Sequence, residues 1–439
     1  MADRPHSVTP DPPSQSQPLD IQPLDPMSSS YTAALAFLYP RTTTIKFGLE
    51  RTVALLESLG RPDRVIPVIH IGGTNGKGSV ATLVAAALGE AGWRVGLYTS
   101  PHLVSFRERY RVADVPISED AVAMWVTRLR PQIEAIGATF FESGTAIAFA
   151  DFAASGAEIA VVEVGLGGRL DSTNVVRPLV SAVTKIEMDH QKYLGNTLEA
   201  IAREKAGIAK PGATFIVGET KPEITDALVG EAERLMASDR MSAPPDIRIV
   251  PPAREWQGPL GLLGRHQRRN ATIAESILEA LPQPYRPDPE TIARAFAQAH
   301  LPGRLDRRGR WWFDVAHNPD GMESLVAAIE DLKPAAPIHA LVSILGDKEW
   351  PEMLVALDRV VDRGILTIAP STDVRRWDLV WLEKWLGDPQ RPPATADWSL
   401  VRDFDEAIRR IQVDAGSVLV TGSFHTVGDV MAALGLAPI

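Results

Sequence analysis

Residues 70–79, which read His-Ile-Gly-Gly-Thr-Asn-Gly-Lys-Gly-Ser, have the residue types and spacing that point most directly to chemistry. An apolar run ends at Ile69, and a stretch of small residues typical of a helix starts at Val80. A strand, a glycine-rich turn and a helix form a phosphate cradle, because backbone N–H groups and the helix N-terminus face the anion. The candidate nucleotide contacts are Gly73, Thr74, Asn75, Gly76, Lys77, Gly78 and Ser79, with Lys77 as the positive charge.

This loop departs from the usual phosphate-loop spelling, G-x-x-x-x-G-K-[ST]. Ile71 stands where the first glycine is expected, and Gly78 follows Lys77 in place of a hydroxyl residue. Since Gly78 has no hydroxyl group, Mg²⁺ must take some of its ligands from elsewhere. The alternative is an ordinary glycine-rich turn with an incidental lysine, but the flanking strand and helix patterns favour phosphate binding.

Two residues with metal-binding side chains follow strand-like runs. Glu163 comes directly after the apolar run 159–162, and His190 comes shortly after the run 180–186. Parallel sheets bind ligands at the carboxyl ends of their strands, where a carboxylate can hold Mg²⁺ through its oxygens. A surface glutamate is the ordinary alternative, but the glycines within 165–168 favour close approach of a ligand. For His190, the residues alone favour an ordinary core or surface histidine.

A parallel sheet is needed to bring these residues together, and the hydropathy pattern predicts one. Apolar runs of strand length alternate with helical patterns, which is typical of βαβ units with helices on both faces of the sheet. The predicted strands are 65–69, 95–99, 159–164, 180–186 and 215–218. The predicted helical segments are 31–59, 80–91, 120–136, 198–209 and 264–281. Asn196 and Glu199 are predicted to form a capping box at the start of the fourth helix.

A second, smaller α/β unit is predicted after a boundary near residues 301–304. Strand patterns alternate with helical ones again in this part of the chain, whose length is ordinary for a domain. The predicted strands are 311–315, 339–344, 365–369 and 417–421, and the predicted helices are 320–332, 350–361 and 403–412. At the other end of the chain, the Pro-rich segment 1–28 has few apolar groups and is predicted to be disordered.

The full set of motifs resembles the Mur-ligase superfamily of ATP-dependent amide ligases, and within it the folylpolyglutamate synthase/dihydrofolate synthase family. Besides the loop at 70–79, the resemblance rests on YTSPHL at 98–103, EVGLGGRLD at 163–171, Asp189-His190, REKAGI at 203–208, GxHQxxN at 264–270, PGRL at 302–305, DxAHNP at 314–319 and TGS at 421–423. The fold that it implies is α/β, with a P-loop-type parallel-sheet ATPase domain at 29–302 followed by a smaller Rossmann-like ligase domain at 303–439.

The resemblance also assigns roles to particular residues. It implies ATP and Mg²⁺ as cofactors, with K⁺ left open, and a magnesium set of Ser100, Glu163 and His190. It implies nucleotide contacts from the residues Asn270, Arg304, Asp314 and His317, with Asn270 toward adenine and Arg304 toward phosphate. It implies that Lys205 is carbamylated, although a solvated helix lysine is the ordinary alternative. Lys77, Lys205 and His190 are the catalytic candidates.

The substrate side is also implied by the resemblance. Phe141, Glu142, Ser143, Thr145 and Asp171 match segments that contact the pterin-bearing substrate, while core packing is an equal alternative for Phe141. The implied activity is ATP-dependent ligation of L-glutamate to dihydropteroate, to folate or to a folyl-glutamate tail through an acyl phosphate. Two alternatives stay open: another Mur-type ligase that joins an amino acid to a different carboxylate, and a P-loop nucleotide-binding regulator.

Composition excludes several classes of protein. The chain has 439 residues, 45% of them hydrophobic and 23% charged, which is ordinary for a globular protein. A formal net charge of −10 argues against a general nucleic-acid binder, and the short basic cluster at 265–269 lacks interleaved aromatics. The absence of cysteine excludes disulfides, thiolate metal sites and cysteine nucleophiles. With no secretory signal or membrane span visible, we expect a cytoplasmic monomer that has small-molecule substrates and no nucleic-acid or membrane partner.

Overall fold

The computed structural model describes residues 30–43, 46–237, 246–372, 375–388, 395–436 and 438. Within these ranges the chain forms two α/β lobes, each built on a mostly parallel sheet. The tail that is predicted to be disordered, residues 1–28, lies outside the described residues. The predicted boundary at 302/303 falls between the last strand of the first sheet and the first strand of the second.

The first lobe contains an eight-stranded sheet. Its strands are β1 (Val68–Gly72), β2 (Val95–Tyr98), β3 (Tyr110–Val112), β4 (Val115–Pro116), β5 (Ile159–Glu163), β6 (Val180–Val183), β7 (Thr214–Val217) and β8 (Asp246–Ile249). Their order is β4-β3-β2-β5-β1-β6-β7-β8, and all neighbours are parallel except at β3, which is antiparallel to both β2 and β4. The central strand β1 is buried along its whole length, as expected for a parallel sheet covered on both faces.

Helices cover both faces of this sheet. They are α1 (Tyr31–Leu38), α2 (Glu50–Ser58), α3 (Lys77–Glu90), α4 (Glu119–Ile136), α5 (Phe140–Ala154), α6 (Gln191–Leu194), α7 (Leu198–Ala206), α8 (Pro222–Met236), α9 (Arg265–Ala280) and α10 (Pro289–Gln298). The helix α3, which follows the glycine-rich loop, packs against α9 and α10. Its small residues Ala81 and Ala87 are fully buried there, which lets the neighbouring helices approach closely.

The second lobe contains a six-stranded sheet. Its strands are β9 (Asp306–Arg308), β10 (Trp311–Phe313), β11 (Ile338–Val342), β12 (Arg363–Leu366), β13 (Asp397–Leu400) and β14 (Ser417–Thr421). Their order is β13-β12-β11-β14-β10-β9, with β9 antiparallel to β10 and the other neighbours parallel. The helices of this lobe are α11 (Pro319–Leu332), α12 (Trp350–Leu357), α13 (Leu379–Leu386), α14 (Phe404–Ile411) and α15 (Phe424–Ala433).

Two local predictions are wrong. The cap of α7 is Thr197, whose hydroxyl accepts a hydrogen bond from the N–H of Ala200 at 3.2 Å, and the predicted box of Asn196 and Glu199 does not cap it. The helical segment predicted at 31–59 is not one continuous α-helix: the α-helix ends at Leu38 and a 3₁₀-helix follows over Tyr39–Thr43, because Pro40 has no N–H to donate to the α-helical hydrogen bonds. The next α-helix begins at Glu50.

The two lobes meet where α15 packs against the loop after β2. The helix α15 lies against the loop after β2 so closely that a Cβ atom built at Gly428 would collide with the carbonyl oxygen of Leu103. The lobes therefore touch main chain to main chain at this point. Across the described ranges, no helix combines the length and the hydropathy that a bilayer crossing requires.

Candidate nucleotide and metal site

The crevice between the lobes has an empty volume of about 1120 Å³, including its open mouth. It is lined by loops that follow β1, β2, β5, β6 and β10, so it collects the carboxyl ends of strands from both sheets. The predicted nucleotide contacts that line it are Gly73, Thr74, Asn75, Gly76, Lys77, Gly78, Ser79, Asn270, Arg304, Asp314 and His317. The predicted metal set and Lys205 line the same crevice.

The phosphate loop, residues 73–79, has the conformation of an anion cradle. Gly76 caps α3 with a φ of 89°, a left-handed conformation that glycine adopts without steric cost. The ammonium group of Lys77 donates to the carbonyl oxygens of Gly73 and Thr74 at 3.1 and 3.0 Å. Lys77 is thus folded back over the loop, where its charge faces the position at which a phosphate would meet the N-terminus of α3.

The segment after β6 holds the phosphate loop from one side. The hydroxyl of Thr184 donates to the carbonyl oxygen of Asn75 at 2.7 Å, and the N–H of Thr74 donates to the carbonyl oxygen of Lys185 at 2.7 Å. The hydroxyl of Thr74 also receives a hydrogen bond from the N–H of Glu187 at 3.1 Å. The loop is therefore fixed by its own neighbours and is preorganised for a ligand.

Glu163 is a buried carboxylate of the crevice that could hold a cation. It is 4% exposed, and one of its oxygens accepts a hydrogen bond from the N–H of Ser100 at 3.1 Å. Burial raises the pKa of Glu163 although the charges of Lys77 and Arg304 act in the opposite direction. A divalent cation beside this carboxylate would favour its ionised form, and its oxygens suit Mg²⁺, so the donor chemistry fits the predicted metal. Within the part of the chain that the structure describes, no three acidic or histidine side chains are grouped closely enough to form a metal cluster.

His190 begins α6 with a φ of 49°, an unusual conformation for a residue other than glycine. Its N–H donates to the carboxylate of Asp189 at 2.8 Å, and burial lowers the pKa of its imidazole to about 4. The ring is therefore neutral at pH 7, the form in which a histidine can ligate a metal. Asp189 in turn forms an ion pair at 2.5 Å with Lys348 of the second lobe, and both side chains are nearly buried.

Lys205 lies on α7 at the edge of the phosphate loop. It is 5% exposed, and its ammonium donates to the carbonyl oxygen of Gly73 at 2.8 Å. Burial, together with the nearby charge of Lys77, lowers the pKa of Lys205 to about 7. A large fraction of Lys205 is therefore in the neutral amine form near pH 7, and only the neutral amine is nucleophilic.

The second lobe contributes charged side chains to the crevice from the segment around β10. Arg304 lies over the ring of Phe424 at 5.0 Å from the ring centroid, and Phe424 also lines the crevice. Asp314 accepts hydrogen bonds from the N–H groups of Leu305 and Ala316, both at 2.9 Å. Burial raises the pKa of the Asp314 carboxyl, an effect that the charge of Arg304 partly offsets. Asp314 thus shapes the backbone on either side of itself in addition to lining the crevice.

His317 and Asn270 both line the crevice. The Nδ1–H of His317 donates to the carbonyl oxygen of Val315 at 2.8 Å, and burial lowers its pKa to about 4, so a neutral ring presents Nε2 as an acceptor. Asn270 donates to the side-chain oxygen of Gln267 at 2.9 Å. An amide held in this way can recognise the donor and acceptor edge of a purine ring.

The acceptor segment, defined as residues 141–145 together with Asp171, does not line this crevice. Glu142 accepts from the backbone of Thr139 at 2.7 Å and pairs with Arg51 at 2.8 Å. The remaining members also have internal partners: Ser143 donates to Thr139, Thr145 contacts Ser172 at 2.6 Å, Asp171 accepts from Leu166 at 2.8 Å, and the ring of Phe141 packs on Gly165. Their predicted contact with a pterin stays a prediction.

Sequence reasoning missed several residues that the fold brings to the crevice. Asp320 and Phe424 line it, and Lys348 reaches Asp189 from the second lobe. Phe424 directly follows the Thr-Gly-Ser motif at 421–423, so its place beside that motif was the available signal. Asp320 directly follows the motif at 314–319, which was a similar signal, whereas Lys348 has no quoted motif beside it.

Comparison with known proteins places this geometry in context. Residues 71–277 match the family model of the Mur ligase middle domain, and residues 303–424 match that of the Mur ligase, glutamate ligase domain. The chain is 33% identical to the dihydrofolate synthase/folylpolyglutamate synthase of Bacillus subtilis, over 92% of this chain and 99% of that protein.

Solved structures give the same result. The fold is similar to that of E. coli FolC in complex with DHPP and ADP, with a TM-score of 0.81, 30% identity and coverage of 93% of this chain and 98% of that chain. It is also similar to a bifunctional folylpolyglutamate synthase/dihydrofolate synthase from Yersinia pestis that is complexed with AMPPNP and Mn ion. That similarity has a TM-score of 0.78 and 29% identity, and it covers 96% of this chain and 100% of that chain.

Proposed function

Since the chain belongs to the folylpolyglutamate synthase/dihydrofolate synthase family of Mur ligases, we propose that it joins L-glutamate to the carboxylate of a pterin-bearing acceptor, driven by ATP. The acceptor is dihydropteroate, the glutamyl tail of a tetrahydrofolate, or both. The observation that carries the proposal is a single crevice in which the phosphate loop and Glu163 of one lobe face Arg304 of the other. Phosphoryl transfer needs this combination of positioning and positive charge.

The reaction takes place in two steps. The acceptor carboxylate attacks the γ-phosphorus of ATP, a new C–O–P linkage forms, and the bond to the bridging oxygen breaks to release ADP. The amine of glutamate then attacks the acyl carbon, loses a proton, and expels inorganic phosphate to leave an amide. Both steps pass through a crowded anionic centre, so the site must neutralise charge without hydrolysing the acyl phosphate.

The residues of this chain divide that task. When ATP binds, the ammonium of Lys77 donates to phosphate oxygens in place of the carbonyl oxygens of Gly73 and Thr74. The N–H groups of the phosphate loop hold the same anion. Arg304 supplies a planar donor from the second lobe. Mg²⁺ held by Ser100, Glu163 and His190 supplies further charge neutralisation when bound. Because these groups come from two lobes, closure of the lobes assembles the site and excludes water.

Lys205 is proposed to carry a carbamate. Its neutral amine adds to CO₂, a C–N bond forms, and a proton leaves, so that a cation is replaced by a carboxylate-like group. The lowered pKa of Lys205 and its nearly complete burial support this, since both increase the fraction of neutral amine. A negative group there would relieve the repulsion between Lys205 and Lys77.

The acceptor segment, the oligomeric state and the location are proposals as well. Phe141 packs on Gly165, and Asp171 accepts from Leu166; both partners line the crevice, which supports acceptor binding nearby. A monomer is proposed because one chain supplies both walls of the crevice, and light scattering during gel filtration tests it. A cytoplasmic location is proposed because the reaction needs ATP and glutamate together, and cell fractionation tests it.

Glutamate-dependent release of ADP in the presence of dihydropteroate or tetrahydrofolate tests the proposed activity. We expect turnover only when ATP, glutamate and one of these acceptors are all present. If none of these pterin acceptors supports glutamate-dependent ADP release but another carboxylate does, the chain is a different Mur-type ligase. Slow ATP hydrolysis that ignores both glutamate and acceptor would indicate a nucleotide-binding regulator.

A further inference from the structure

A polar cluster at the crevice contains residues of both lobes and includes three residues outside the predicted site. Asp320, in the first turn of α11, accepts a hydrogen bond from the side-chain amide of Asn75 at 2.8 Å. The same carboxylate forms an ion pair with Lys185 of the first lobe. Asn318, the cap of α11, exchanges side-chain amide hydrogen bonds with Asn75 at 3.2 and 3.4 Å. The start of α11 is thus attached to the phosphate loop itself.

Lys185 is attached to the same loop from behind. Its carbonyl oxygen accepts the N–H of Thr74 at 2.7 Å, and its backbone forms an isolated β-bridge with Asn75. Two consecutive loop residues are therefore held by the first lobe, while Asn75 is also held by the second. A shift of α11 away from the loop must break both the Asn75 contact and the Lys185 ion pair.

The charges of the cluster are arranged to suit an anionic ligand. Asp320 lines the crevice, and an isolated carboxylate at this place would repel a triphosphate. Lys185 offsets that charge, and it also pairs with Glu187 at 3.0 Å, which pairs with Lys221 at 2.9 Å. Asp320 can therefore contact the phosphate loop without bringing an unbalanced negative charge to it.

We propose that Asp320 is a positioning residue that, together with Lys185, docks the second lobe onto the phosphate loop in the arrangement that binds ATP. The inference rests on the proposed function, because it takes residues 73–79 as the phosphate site. Tight nucleotide binding then depends on lobe docking through this cluster, and Asp320 acts through Asn75 without touching the reacting atoms.

Removal of the Asp320 carboxylate is the direct test. We expect Asp320→Ala to weaken binding of AMPPNP with Mg²⁺ by about tenfold, since one charged hydrogen-bonded contact between the lobes is lost. Isothermal titration calorimetry on the full chain measures this. The KM for ATP should rise in parallel, while the KM for glutamate at saturating ATP should stay within about twofold.

The chain offers a matched control on the same helix. Asp331 near the end of α11 forms an ion pair at 2.5 Å with Arg265 of α9, so it also joins the lobes, but Arg265 is 82% exposed and neither residue lines the crevice. We expect Asp331→Ala to leave AMPPNP affinity within about twofold, as for an exposed ion pair. Equal losses from Asp320→Ala and Asp331→Ala would mean that any contact between the lobes has this effect, and the proposal would be wrong.

A double-mutant cycle tests whether Lys185 balances the charge of Asp320. Lys185→Met leaves the Asp320 carboxylate unbalanced beside the phosphates, whereas Asp320→Asn removes the charge and retains an acceptor for Asn75. We expect Lys185→Met to weaken AMPPNP binding more than Asp320→Asn does, and the double variant to recover most of the difference. A double variant as weak as Lys185→Met would contradict the proposal.

Folding and the proposed function are checked separately. The melting temperature of each variant, measured without nucleotide, identifies variants that do not fold. If Asp320→Ala does not fold, the double-mutant cycle with the conservative Asp320→Asn change still tests the proposal. If the unmodified chain binds no AMPPNP, the proposed function fails. If the unmodified chain binds it and the affinity of Asp320→Ala stays within about twofold, only the positioning role fails.

Discussion

The phosphate loop and the acceptor segment are both predicted from motifs, yet the structure surrounds them differently. The phosphate loop lines an open crevice, where its backbone N–H groups and the ammonium of Lys77 can contact an anionic ligand. The side chains of the acceptor segment are directed into the first lobe, where Glu142, Ser143 and Asp171 already have hydrogen-bond partners.

The difference shows how two kinds of motif act. A phosphate site uses main-chain geometry, which the glycines and the start of a helix specify directly. A side-chain motif specifies which residues are required without telling whether they contact a ligand or each other. Substitutions in the loop should therefore affect turnover more than stability, and substitutions in the acceptor segment should affect stability more than ATP binding.

The largest effect is expected from Lys77→Ala. Loss of the ammonium that faces the phosphates should lower kcat by about 10³-fold, while the melting temperature changes little because the residue is only partly buried. Steady-state ADP release and thermal denaturation measure the two quantities. Retained turnover in this variant would mean that the phosphates bind elsewhere in the crevice.

A smaller loss is expected from Lys205→Ala, about 10²-fold in kcat, as for removal of a group that supports a metal or phosphate site. Formate or acetate should restore part of the activity if the missing group is a carbamate.

The pKa of Lys205, about 7 in the folded state, predicts how activity depends on pH. The neutral amine predominates above pH 7, so carbamate content and activity should fall as the pH drops below 7. Mass spectrometry under native conditions detects the added CO₂.

In the acceptor segment, Glu142→Gln should act mainly on stability. It weakens the ion pair with Arg51 and the hydrogen bonds from Thr139, which should lower the free energy of unfolding by about 1–3 kcal/mol. Urea denaturation measures this change. The KM for ATP should not change. A rise in the KM for the acceptor without a loss of stability would support the predicted contact of Glu142 with the substrate.

The smallest effect is expected from Ser143→Ala. Ser143 is fully buried and donates to the carbonyl oxygen of Thr139 at 2.8 Å, so its loss should reduce stability by about 1 kcal/mol and leave the KM for ATP unchanged. Urea denaturation and acceptor-dependent kinetics on the same preparation distinguish a structural role of Ser143 from a role in binding the acceptor. A raised KM for the acceptor with unchanged stability would instead assign the Ser143 hydroxyl a direct contact with the substrate.

Much of the parallel framework follows from the sequence, because β1, β5 and β6 are short apolar runs followed by polar or glycine-rich turns. The helix α5 was not predicted, and its residues explain why. Nearly all of them are buried, so its sequence has no polar face and shows no helical periodicity. The short strand β8 is partly exposed and carries charges, so it lacks an apolar signal as well.

The site was predictable where it depends on local chain geometry and unpredictable where it depends on the packing of the lobes. The loop, Glu163 and Arg304 belong to motifs that are continuous in sequence. The pairs Asp189–Lys348 and Asp320–Lys185 join residues more than a hundred positions apart, and nothing in the sequence links one partner of a pair to the other. Such pairs become visible only when the orientation of one sheet against the other is known.

The absence of a side chain at Gly428 has a consequence for how closely the two lobes can pack. Even a methyl group at this position would collide with the carbonyl oxygen of Leu103, so any other residue would force α15 and the loop after β2 apart. The spacing between the lobes at this junction therefore depends on a single glycine.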